Sequence, residues 1–306
     1  MVNLKIKIGK LKLKNPVMLA SGTAGFGEEI EDLVDISKLG GIVTKTITLN
    51  KREGNPPPRV VEAPAGLLNS IGLDNDGLKD FIFKKVPQLE RLKIPVIASI
   101  AANSISAFVK LAEELSGVPC IRAIEANLSC PNVVHKGTKF PLFAQDKIAT
   151  EKIISKLRKS TRSTLIAKLS PNVTDIKEVA KAAVSGGADV ISLINTYPGM
   201  LVDINTGKPK LGNITGGLSG PAIKPLALKC VFDVYNTVKV PVIGMGGIMS
   251  AEDAIEFILC GATAVQIGTA NFVNPQAPLE ILDGMKKYLR EKKIKSVRNL
   301  VGRLKT

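Results

Sequence analysis

The sequence predicts an α/β protein built as a (β/α)8 barrel, and two observations carry this prediction. Eight short apolar runs rich in β-branched residues alternate along the 306-residue chain with segments of helical periodicity. Strands that alternate with helices pair in parallel, and eight such units are the number that closes into a barrel. The predicted strands are Pro16–Ala20, Ile42–Lys45, Pro95–Ser99, Ala123–Asn127, Leu165–Leu169, Val190–Ile194, Pro241–Gly244 and Ala264–Ile267.

The first sixteen residues, MVNLKIKIGKLKLKNP, alternate polar and apolar side chains with a period of two. That period is typical of half-buried strands, and Gly9-Lys10 suits the turn between two of them. We therefore predict an N-terminal β-hairpin that closes the bottom of the barrel. No linker or low-complexity segment interrupts the chain, so residues 1–306 are predicted to form one domain.

The helical segments carry recognisable end signals. Segment 104–116 has an apolar face behind Ser104, a candidate N-cap. Segment 250–260 begins at Ser250, has Asp253 at its third position and ends at Gly261. Segments 147–159, 174–185 and 222–237 have similar periodicity.

The charge and hydropathy limit the classes of partner. Lys and Arg number 42 and Asp and Glu 27, which gives a net charge of +15. The basic residues are spread rather than striped, which favours a Lys-rich solvated surface over a nucleic-acid site. No apolar run reaches the roughly 18 residues of a membrane span, so no membrane partner is expected.

The four cysteines are Cys120, Cys130, Cys230 and Cys260, and none belongs to a CxxC pair. With a single histidine in the chain, no metal site is predicted. A reducing cytoplasm is the simplest location for such a protein. Cys230 and Cys260 lie in apolar helical segments and are expected to be small core residues. Cys130 differs, because it lies in EANLSCPN, where the fourth strand runs into a long connection.

Long connections follow the second, fourth and sixth strands, over residues of about 47–75, 128–146 and 195–220. All three leave the carboxyl ends of strands, the face on which barrel enzymes keep their active sites. They are rich in Asn, Pro and Gly rather than in charge. We therefore predict that they are functional.

Glycines follow the last two strands, in Gly244-Met-Gly-Gly247 and in Gly268-Thr269. Glycine lets backbone N–H groups approach a ligand closely, and a helix that begins after the eighth strand adds the positive end of its dipole. These two loops are the usual phosphate site of barrel enzymes. A phosphorylated ligand is therefore predicted, with tight strand-to-helix turns as the alternative.

Lysines and amides also gather at predicted strand ends. Lys45 ends the second strand and Lys168 lies near the end of the fifth, and lysine is rarely buried without a partner. Amide side chains, which both donate and accept hydrogen bonds, lie close to the same ends. Together they suit a small planar ligand with alternating C=O and N–H groups, such as a pyrimidine, although a single lysine at a strand end more often extends to solvent. The neighbouring polar residues are Asn69, Asn127, Asn132, Asn195 and Thr196.

Seven segments, in this order along the chain, resemble the dihydroorotate dehydrogenases, the FMN enzymes of pyrimidine synthesis. The similarity runs from about residue 4 to 300, and TGGLSGPAIKP and NLSCPN are its most specific parts. It is closest to the class 1B catalytic subunit, since class 2 enzymes have a membrane-associating N-terminal extension and a serine base. The segments are NSIGLDN, NLSCPNV, LSPNVTD, INTYPGM, TGGLSGPAIKP, PVIGMGGI and AVQIGTANF.

The resemblance implies oxidation of dihydroorotate to orotate, with Cys130 as the base that removes the proton at C5 while a hydride leaves C6 for FMN. The residues matched to FMN binding are Ser21, Lys45, Thr46, Ser99, Asn127, Lys168, Ile194, Gly220, Gly246, Gly247, Gly268 and Thr269. The residues matched to substrate binding are Lys45, Asn69, Ser70, Ile71, Gly72, Leu73, Asn127, Asn132, Asn195 and Thr196.

Some residues depart from the class 1B pattern. Ser99 stands where the family often has asparagine, the loop VVHKGTKF lacks a Gly-Gly pair, and KREGNPPPR is closer to class 1A. Class 1B implies a homodimeric core in a heterotetramer with an iron–sulfur and FAD subunit that reduces NAD. Class 1A implies a homodimer that uses fumarate. The competing interpretations are an enzyme similar to the tRNA dihydrouridine synthases and a barrel that binds a phosphorylated ligand without catalysis.

Overall fold

The computed structural model describes residues 2–128 and 145–305, and its centre is a closed barrel of eight parallel strands. The predicted fold class is therefore confirmed. In chain order the strands are β1 Ile6–Ile8, β2 Leu11–Leu13, β3 Val17–Leu19, β4 Gly41–Val43, β5 Val60–Ala63, β6 Gly66–Asn69, β7 Val96–Ile100, β8 Ile121–Asn127, β9 Thr164–Lys168, β10 Val190–Leu193, β11 Tyr197–Gly199, β12 Val202–Asp203, β13 Lys208–Pro209, β14 Gly216–Ser219, β15 Val242–Met245 and β16 Ala262–Ile267.

The barrel is formed by β3, β4, β7, β8, β9, β10, β15 and β16 in that order, and β16 pairs with β3 to close it. Every residue of β7, β9, β10 and β15 is buried. Parallel strands covered on both faces are apolar along their whole length, which explains why the sequence showed continuous rather than alternating apolar runs. Polar residues gather at the carboxyl ends, where Asn127 of β8 lies opposite Lys168 of β9.

The hairpin of β1 and β2 lies at the amino-terminal end of the barrel, as predicted. Its two strands are antiparallel, with Ile8 opposite Leu11 across the Gly9-Lys10 turn. The backbone N–H of Lys10 donates to Oγ1 of Thr164, the first residue of β9, over 3.0 Å. The hairpin thus covers the end of the barrel away from the polar strand ends.

The helices lie outside the barrel, and their predicted caps are present. The Ser104 hydroxyl accepts from the N–H of Ala107, and Ser250 and Asp253 form a reciprocal capping box. A π-helical segment, Phe81–Lys85, joins the first two helices. Among the described residues the α-helices are α1 Leu78–Asp80, α2 Val86–Arg91, α3 Ile105–Ser116, α4 Lys147–Ser160, α5 Ile176–Ser185, α6 Lys224–Tyr235, α7 Ala251–Leu259, α8 Ala270–Val273 and α9 Ala277–Glu291.

Two of the long connections contain strands that the sequence did not reveal. Residues 47–75 contain β5 and β6, residues 195–220 contain β11 and β14, and these four strands form one antiparallel sheet in the order β11-β14-β6-β5. We call it the upper sheet. Residues of β6 and β14 meet across the carboxyl-terminal face of the barrel, with Asn69 opposite Gly217. The upper sheet thus gives that face a second wall.

The described cysteines lie at the edge of the core. Cys120, Cys230 and Cys260 are half-buried and pack against it, so the expectation of small core residues is only partly correct for Cys230 and Cys260. Burial raises the pKa of the Cys230 thiol to about 11. Within the described ranges, no cluster of three or more His, Cys, Asp or Glu side chains is arranged to hold a metal ion.

None of the helices within residues 2–128 and 145–305 has both the length and the apolar character that crossing a bilayer requires.

A candidate active site at the carboxyl ends of the barrel strands

A cavity of about 250 Å³ opens between the carboxyl ends of the barrel strands and the upper sheet. Most residues predicted for the site line it. They are Ser21, Lys45, Thr46, Asn69, Ile71, Gly72, Leu73, Asn127, Lys168, Ile194, Asn195, Thr196, Gly220, Gly246, Gly247, Gly268 and Thr269. Their shared location is a finding of the structure, whereas their individual roles toward a ligand remain predictions.

A chain of hydrogen bonds links polar side chains from four strand ends. Oγ1 of Thr46 lies 3.3 Å from the hydroxyl of Ser21 and accepts from Nδ2 of Asn127 over 3.4 Å. Asn127 in turn accepts from Nδ2 of Asn195 over 3.3 Å. These side chains are fixed before any ligand enters, which lowers the entropy lost on binding.

Two lysines carry the positive charge of the cavity. Lys168 is only 7% exposed and Lys45 is half-buried. Among the described residues neither ammonium group forms a hydrogen bond or an ion pair, although thirteen other ion pairs are present there. A buried cation is costly unless an anion compensates it. The cavity is therefore built for a negatively charged ligand or for charge that develops during a reaction.

The glycine loops after β14, β15 and β16 line one end of the cavity. Gly246 has a φ of +118° and Gly247 a φ of +78°, and both values strain any residue with a side chain. Gly268 is different, since its φ is not in the left-handed region and a Cβ there would lie 3.6 Å from the nearest atoms of Ala20 and Thr23. The protein alone would tolerate a methyl group at position 268. What glycine provides there is open space beside the backbone, which fits the predicted phosphate contact.

A third lysine near these loops is already engaged. Nζ of Lys224 lies 2.6 Å from Oδ1 of Asp253 and 3.0 Å from Oε2 of Glu256. The hydrogen bond to Asp253 raises the pKa of Lys224. Burial would raise the pKa of Asp253, but the bonds from Lys224 and from the N–H groups of Met249 and Ser250 outweigh it and lower that pKa. This ion pair holds the start of α7 against α6 behind the glycine loop.

Most substrate-side predictions fall at the ends of upper-sheet strands, at and after the end of β6 and just before β11. Nδ2 of Asn69 donates to the carbonyl of Gly217 over 3.3 Å, which joins β6 to β14. The side chain of Asn195 accepts from the N–H of Thr196 over 2.8 Å. Leu73, four residues after Asn69, has a φ of +60°. This value is unusual for a bulky side chain, and such backbone outliers cluster at functional sites. The amides of the barrel and of the upper sheet therefore face one another across the cavity.

Two predicted contacts are not supported by the structure. Ser70 is fully buried and does not line the cavity, because its hydroxyl accepts from Nδ2 of Asn55 over 2.9 Å. Alternate residues of a strand face opposite sides, so Ser70 points away where Asn69 points in. Ser99 is also fully buried, and its hydroxyl lies 2.9 Å from Oγ1 of Thr46. Ser99 supports Thr46 rather than reaching the cavity.

Two further predicted residues, Cys130 and Asn132, lie outside the described residues. The described chain before them ends at Leu128, directly after the cavity residue Asn127. Their predicted roles therefore stay predictions.

The cavity also includes residues that the sequence did not single out. Gln266 of β16 lines it although it lies within an otherwise apolar strand. The sequence could have indicated Gln266 by one feature, an amide side chain within an apolar strand and two positions before the predicted cavity residue Gly268. Phe272, 61% exposed, forms part of the rim. The others are Ala20, Gly22, Thr23, Val60, Leu67, Ser219, Ile223, Met245 and Ile248.

The arrangement defines a class of protein: a barrel enzyme with glycine loops for a phosphate and a cavity beside them that is lined by amides and two lysines. FMN fits this donor set, because it joins a phosphate to a planar ring that bears carbonyl and N–H groups. The open space at Gly268 and the lysines Lys45 and Lys168 are the structural observations that support the fit.

Comparison with known proteins agrees with this class. The family model for dihydroorotate dehydrogenase matches residues 3–289, and the chain belongs to that family. Family members are FMN-dependent oxidoreductases that oxidise dihydroorotate in pyrimidine biosynthesis. The resemblance stated from the sequence motifs is thus confirmed, and the alternative of a tRNA dihydrouridine synthase-like enzyme is not favoured.

Three relatives show how far the similarity extends. The chain is 52% identical to a protein of Trichlorobacter lovleyi over 98% of each chain. It is 49% identical to one of Geotalea uraniireducens and 48% identical to one of Thermoanaerobacter pseudethanolicus, over 99% of each chain. All three are named dihydroorotate dehydrogenase B (NAD(+)), catalytic subunit. Their names agree with the predicted closeness to class 1B.

Proposed function

We propose that this chain is the catalytic subunit of a class 1B dihydroorotate dehydrogenase and oxidises dihydroorotate to orotate with FMN. The observation that carries the proposal is the pair of lysines, Lys45 and Lys168, that face one cavity beside the glycine loops without an anionic partner among the described residues. FMN and dihydroorotate are both anions. Together they would supply the charge that the cavity lacks.

The cavity divides between the two ligands. Gly246, Gly247, Gly268 and Thr269 would bind the phosphate through backbone N–H groups, and Lys168 would lie beside the flavin ring. The segment from Asn69, the last residue of β6, to Leu73 would bind the amides and carboxylate of dihydroorotate together with Asn195 and Thr196. Lys45 and Asn127 lie where both ligands can be reached. One domain, residues 1–306, would thus hold the whole site.

Proton transfer is assigned to Cys130. When bound, FMN supplies the two-electron acceptor for the hydride that leaves C6 of dihydroorotate. The thiolate of Cys130 takes the proton from C5, and the electron pair of that C–H bond forms the C5–C6 double bond of orotate. Lys168 stabilises the negative charge that accompanies hydride transfer.

A pre-steady-state measurement tests this assignment. Cys130→Ala should bind FMN and dihydroorotate but slow flavin reduction at least about a hundredfold, the usual range for the loss of a general base. A free thiol titrates near 8.5, so the wild-type rate should rise with pH up to about that value. Cys260→Ala is the matched control, since Cys260 caps the carboxyl end of α7 and is not part of the cavity lining. Fast reduction in Cys130→Ala would exclude Cys130 as the base.

The relatives' names also point to a partner. They specify a catalytic subunit and NAD(+), and we propose that this chain likewise passes its electrons to a partner subunit that reduces NAD. The four cysteines of this chain are widely separated in sequence, so an iron–sulfur centre would belong to the partner. The proposed assembly is a homodimeric core in a heterotetramer with an iron–sulfur and FAD subunit, in the cytoplasm.

Purification from the native host tests the partner. The proposal expects a second subunit with iron, acid-labile sulfide and FAD, and NAD reduction by dihydroorotate only in the complex. A lone homodimer that fumarate reoxidises would instead support class 1A. Flavin reduction by dihydroorotate in either preparation tests the oxidation step independently of the acceptor.

A further inference from the structure

Three polar side chains cross the inside of the barrel directly below the cavity. They are Glu125 of β8, Ser192 of β10 and Gln266 of β16, and we call them the polar layer. Their exposed fractions are 0%, 0% and 1%. The strands concerned are the fourth, sixth and eighth of the barrel, and side chains of alternate strands form one layer in this fold. Such layers are usually made of branched apolar residues, so a carboxylate here is unexpected.

The hydrogen bonds of the polar layer converge on one oxygen. Oε2 of Glu125 accepts from the hydroxyl of Ser192 over 3.0 Å and from Nε2 of Gln266 over 3.1 Å. Among the described residues, Oε1 of Glu125 and Oε1 of Gln266 are buried and have no hydrogen-bond partner. Buried polar atoms without a partner are rare in folded proteins and destabilise them.

The carboxylate also fixes which way the Gln266 amide is turned. Nε2 of Gln266 faces Oε2 of Glu125, so the carbonyl oxygen of the same amide group faces away from Glu125. Gln266 lines the cavity, as does Asn127, which stands two residues after Glu125 on β8. Side chains two apart share one face of a strand. The polar layer therefore lies beneath the cavity, and Gln266, whose Oε1 has no partner among the described residues, is the member of the layer that lines it.

We propose that Gln266 binds the flavin directly, through a hydrogen bond that its Oε1 accepts from the flavin, and that Glu125 is the positioning residue that orients it. The inference rests on the proposed function, since it takes FMN as the ligand of the cavity. FMN offers two kinds of donor, the ring N–H and the ribityl hydroxyls. A methionine or leucine would fill the same space without a buried unpaired oxygen, so packing alone does not explain the amide.

The first measurement is the FMN affinity of the apo protein, followed by quenching of flavin fluorescence. Gln266→Met keeps the length of the side chain and removes the acceptor, and its Kd for FMN should rise about tenfold, the usual value of one buried hydrogen bond. The absorption bands of the bound flavin should shift as well. Gln88→Met is the matched control, because Gln88 also has a buried Oε1 without a partner among the described residues but does not line the cavity. Its Kd and spectrum should stay as in the wild type.

Glu125→Gln tests the positioning role while keeping the shape of the side chain. Without the carboxylate the Gln266 amide can adopt either orientation, so the Kd for FMN should rise. Combined with Gln266→Met it should add nothing, because both changes remove one interaction. Additive effects, or an unchanged Kd in Glu125→Gln, would overturn the positioning role. Circular dichroism and the melting temperature of each variant identify loss of folding, and Glu125→Gln decides where Gln266→Met does not fold.

A flavin analogue identifies the donor. If 3-methyl-FMN binds the wild type more weakly than FMN but binds Gln266→Met equally well, the ring N–H is the donor. If the methyl group affects both proteins alike, a ribityl hydroxyl is the donor. An unchanged Kd and spectrum in Gln266→Met, or a change only in the KM for dihydroorotate, would refute the contact with flavin. Failure of the wild-type protein to bind FMN would instead refute the proposed function.

Discussion

Gly268→Ala is the substitution that most directly tests whether the glycine loop after β16 approaches a ligand. The structure shows room for the new methyl group in the protein itself, because a Cβ at 268 would lie 3.6 Å from both Ala20 and Thr23. The φ of Gly268 is not in the left-handed region, so alanine adopts it without strain. If a phosphate lies against this backbone, the methyl group meets the ligand rather than the protein.

The two effects of Gly268→Ala have opposite signs. Replacing glycine by alanine at a compatible position stabilises a protein by about 0.4–1 kcal/mol, since the unfolded chain loses entropy. The melting temperature of the apo protein should therefore be unchanged or slightly higher. Forcing one methyl group into a close-packed contact costs about 1–3 kcal/mol. The Kd for FMN should accordingly rise about 5- to 140-fold, at tenfold for each 1.4 kcal/mol.

Gly247→Ala provides the contrast. A Cβ at 247 would lie 2.7 Å from Cβ of Lys224 and 2.9 Å from the carbonyl oxygen of Gly220, at a φ of +78°. The left-handed conformation costs about 1–2 kcal/mol, and the overpacking adds about 1–3 kcal/mol. This variant should lose about 2–5 kcal/mol of stability even without a ligand. The two alanines thus separate a glycine required by the fold from a glycine required by the ligand.

The assay pairs thermal unfolding of the apo proteins with fluorescence titration of FMN. The reasoning about Gly268 is refuted if Gly268→Ala binds FMN with the wild-type Kd, since the ligand then does not contact this backbone. It is also refuted if the apo variant is strongly destabilised, since the glycine is then required by the protein alone.

Three further predictions concern charges and thiols. Asp253→Asn should lower the free energy of unfolding at pH 7, because the depressed pKa of Asp253 stabilises the folded protein while the carboxylate is ionised. The difference between variant and wild type should shrink as the pH falls below about 4, where protonation removes that stabilisation. Urea unfolding at both pH values measures this difference. Lys168→Met should not lower the melting temperature of the apo protein, since the ammonium group has no partner among the described residues. The midpoint potential of bound FMN should become more negative, by about 30 mV for each 1.4 kcal/mol by which the reduced flavin is less stabilised. An unchanged potential would contradict the role of Lys168. At pH 8 iodoacetamide should label Cys130 about a hundredfold faster than Cys230, because burial raises the pKa of the Cys230 thiol to about 11. Orotate should protect only Cys130 from this labelling. Mass spectrometry of tryptic peptides distinguishes the two sites.

The barrel was predictable because its signals are local. Each buried strand is a continuous apolar run, and helices such as α3 and α7 carry their caps at Ser104 and Ser250. The upper sheet was not predictable in the same way. Its central pair joins Asn69 to Gly217 across 148 residues, and Gly216 and Gly217 contribute no side chains to any alternating pattern. Pairing between distant and partly featureless strands leaves no periodic trace in a sequence.

The site shows the same division between local and spatial information. Lys45 and Lys168 were identified because a charge at the end of an apolar run is locally conspicuous. Ser70 and Ser99 were assigned to the cavity because of their place in the sequence, but the hydroxyl of Ser70 bonds to Asn55 and that of Ser99 lies behind Thr46. The significance of Gln266 depends on Glu125, 141 residues earlier, and only the closed barrel brings them together.

The electrostatics of the cavity connect ligand binding with folding. In the apo protein the ammonium groups of Lys45 and Lys168 and the buried Oε1 atoms of Glu125 and Gln266 have no partner among the described residues, and each of them lowers the stability of the folded state. An anionic cofactor with hydrogen-bond donors on its ring would satisfy both kinds of group at once. A ligand that binds only the folded state adds about 2.7 kcal/mol at one hundred times its Kd. Charges and oxygens that reduce stability in the empty barrel are thus the groups that select a flavin-sized anion over an apolar ligand of similar shape.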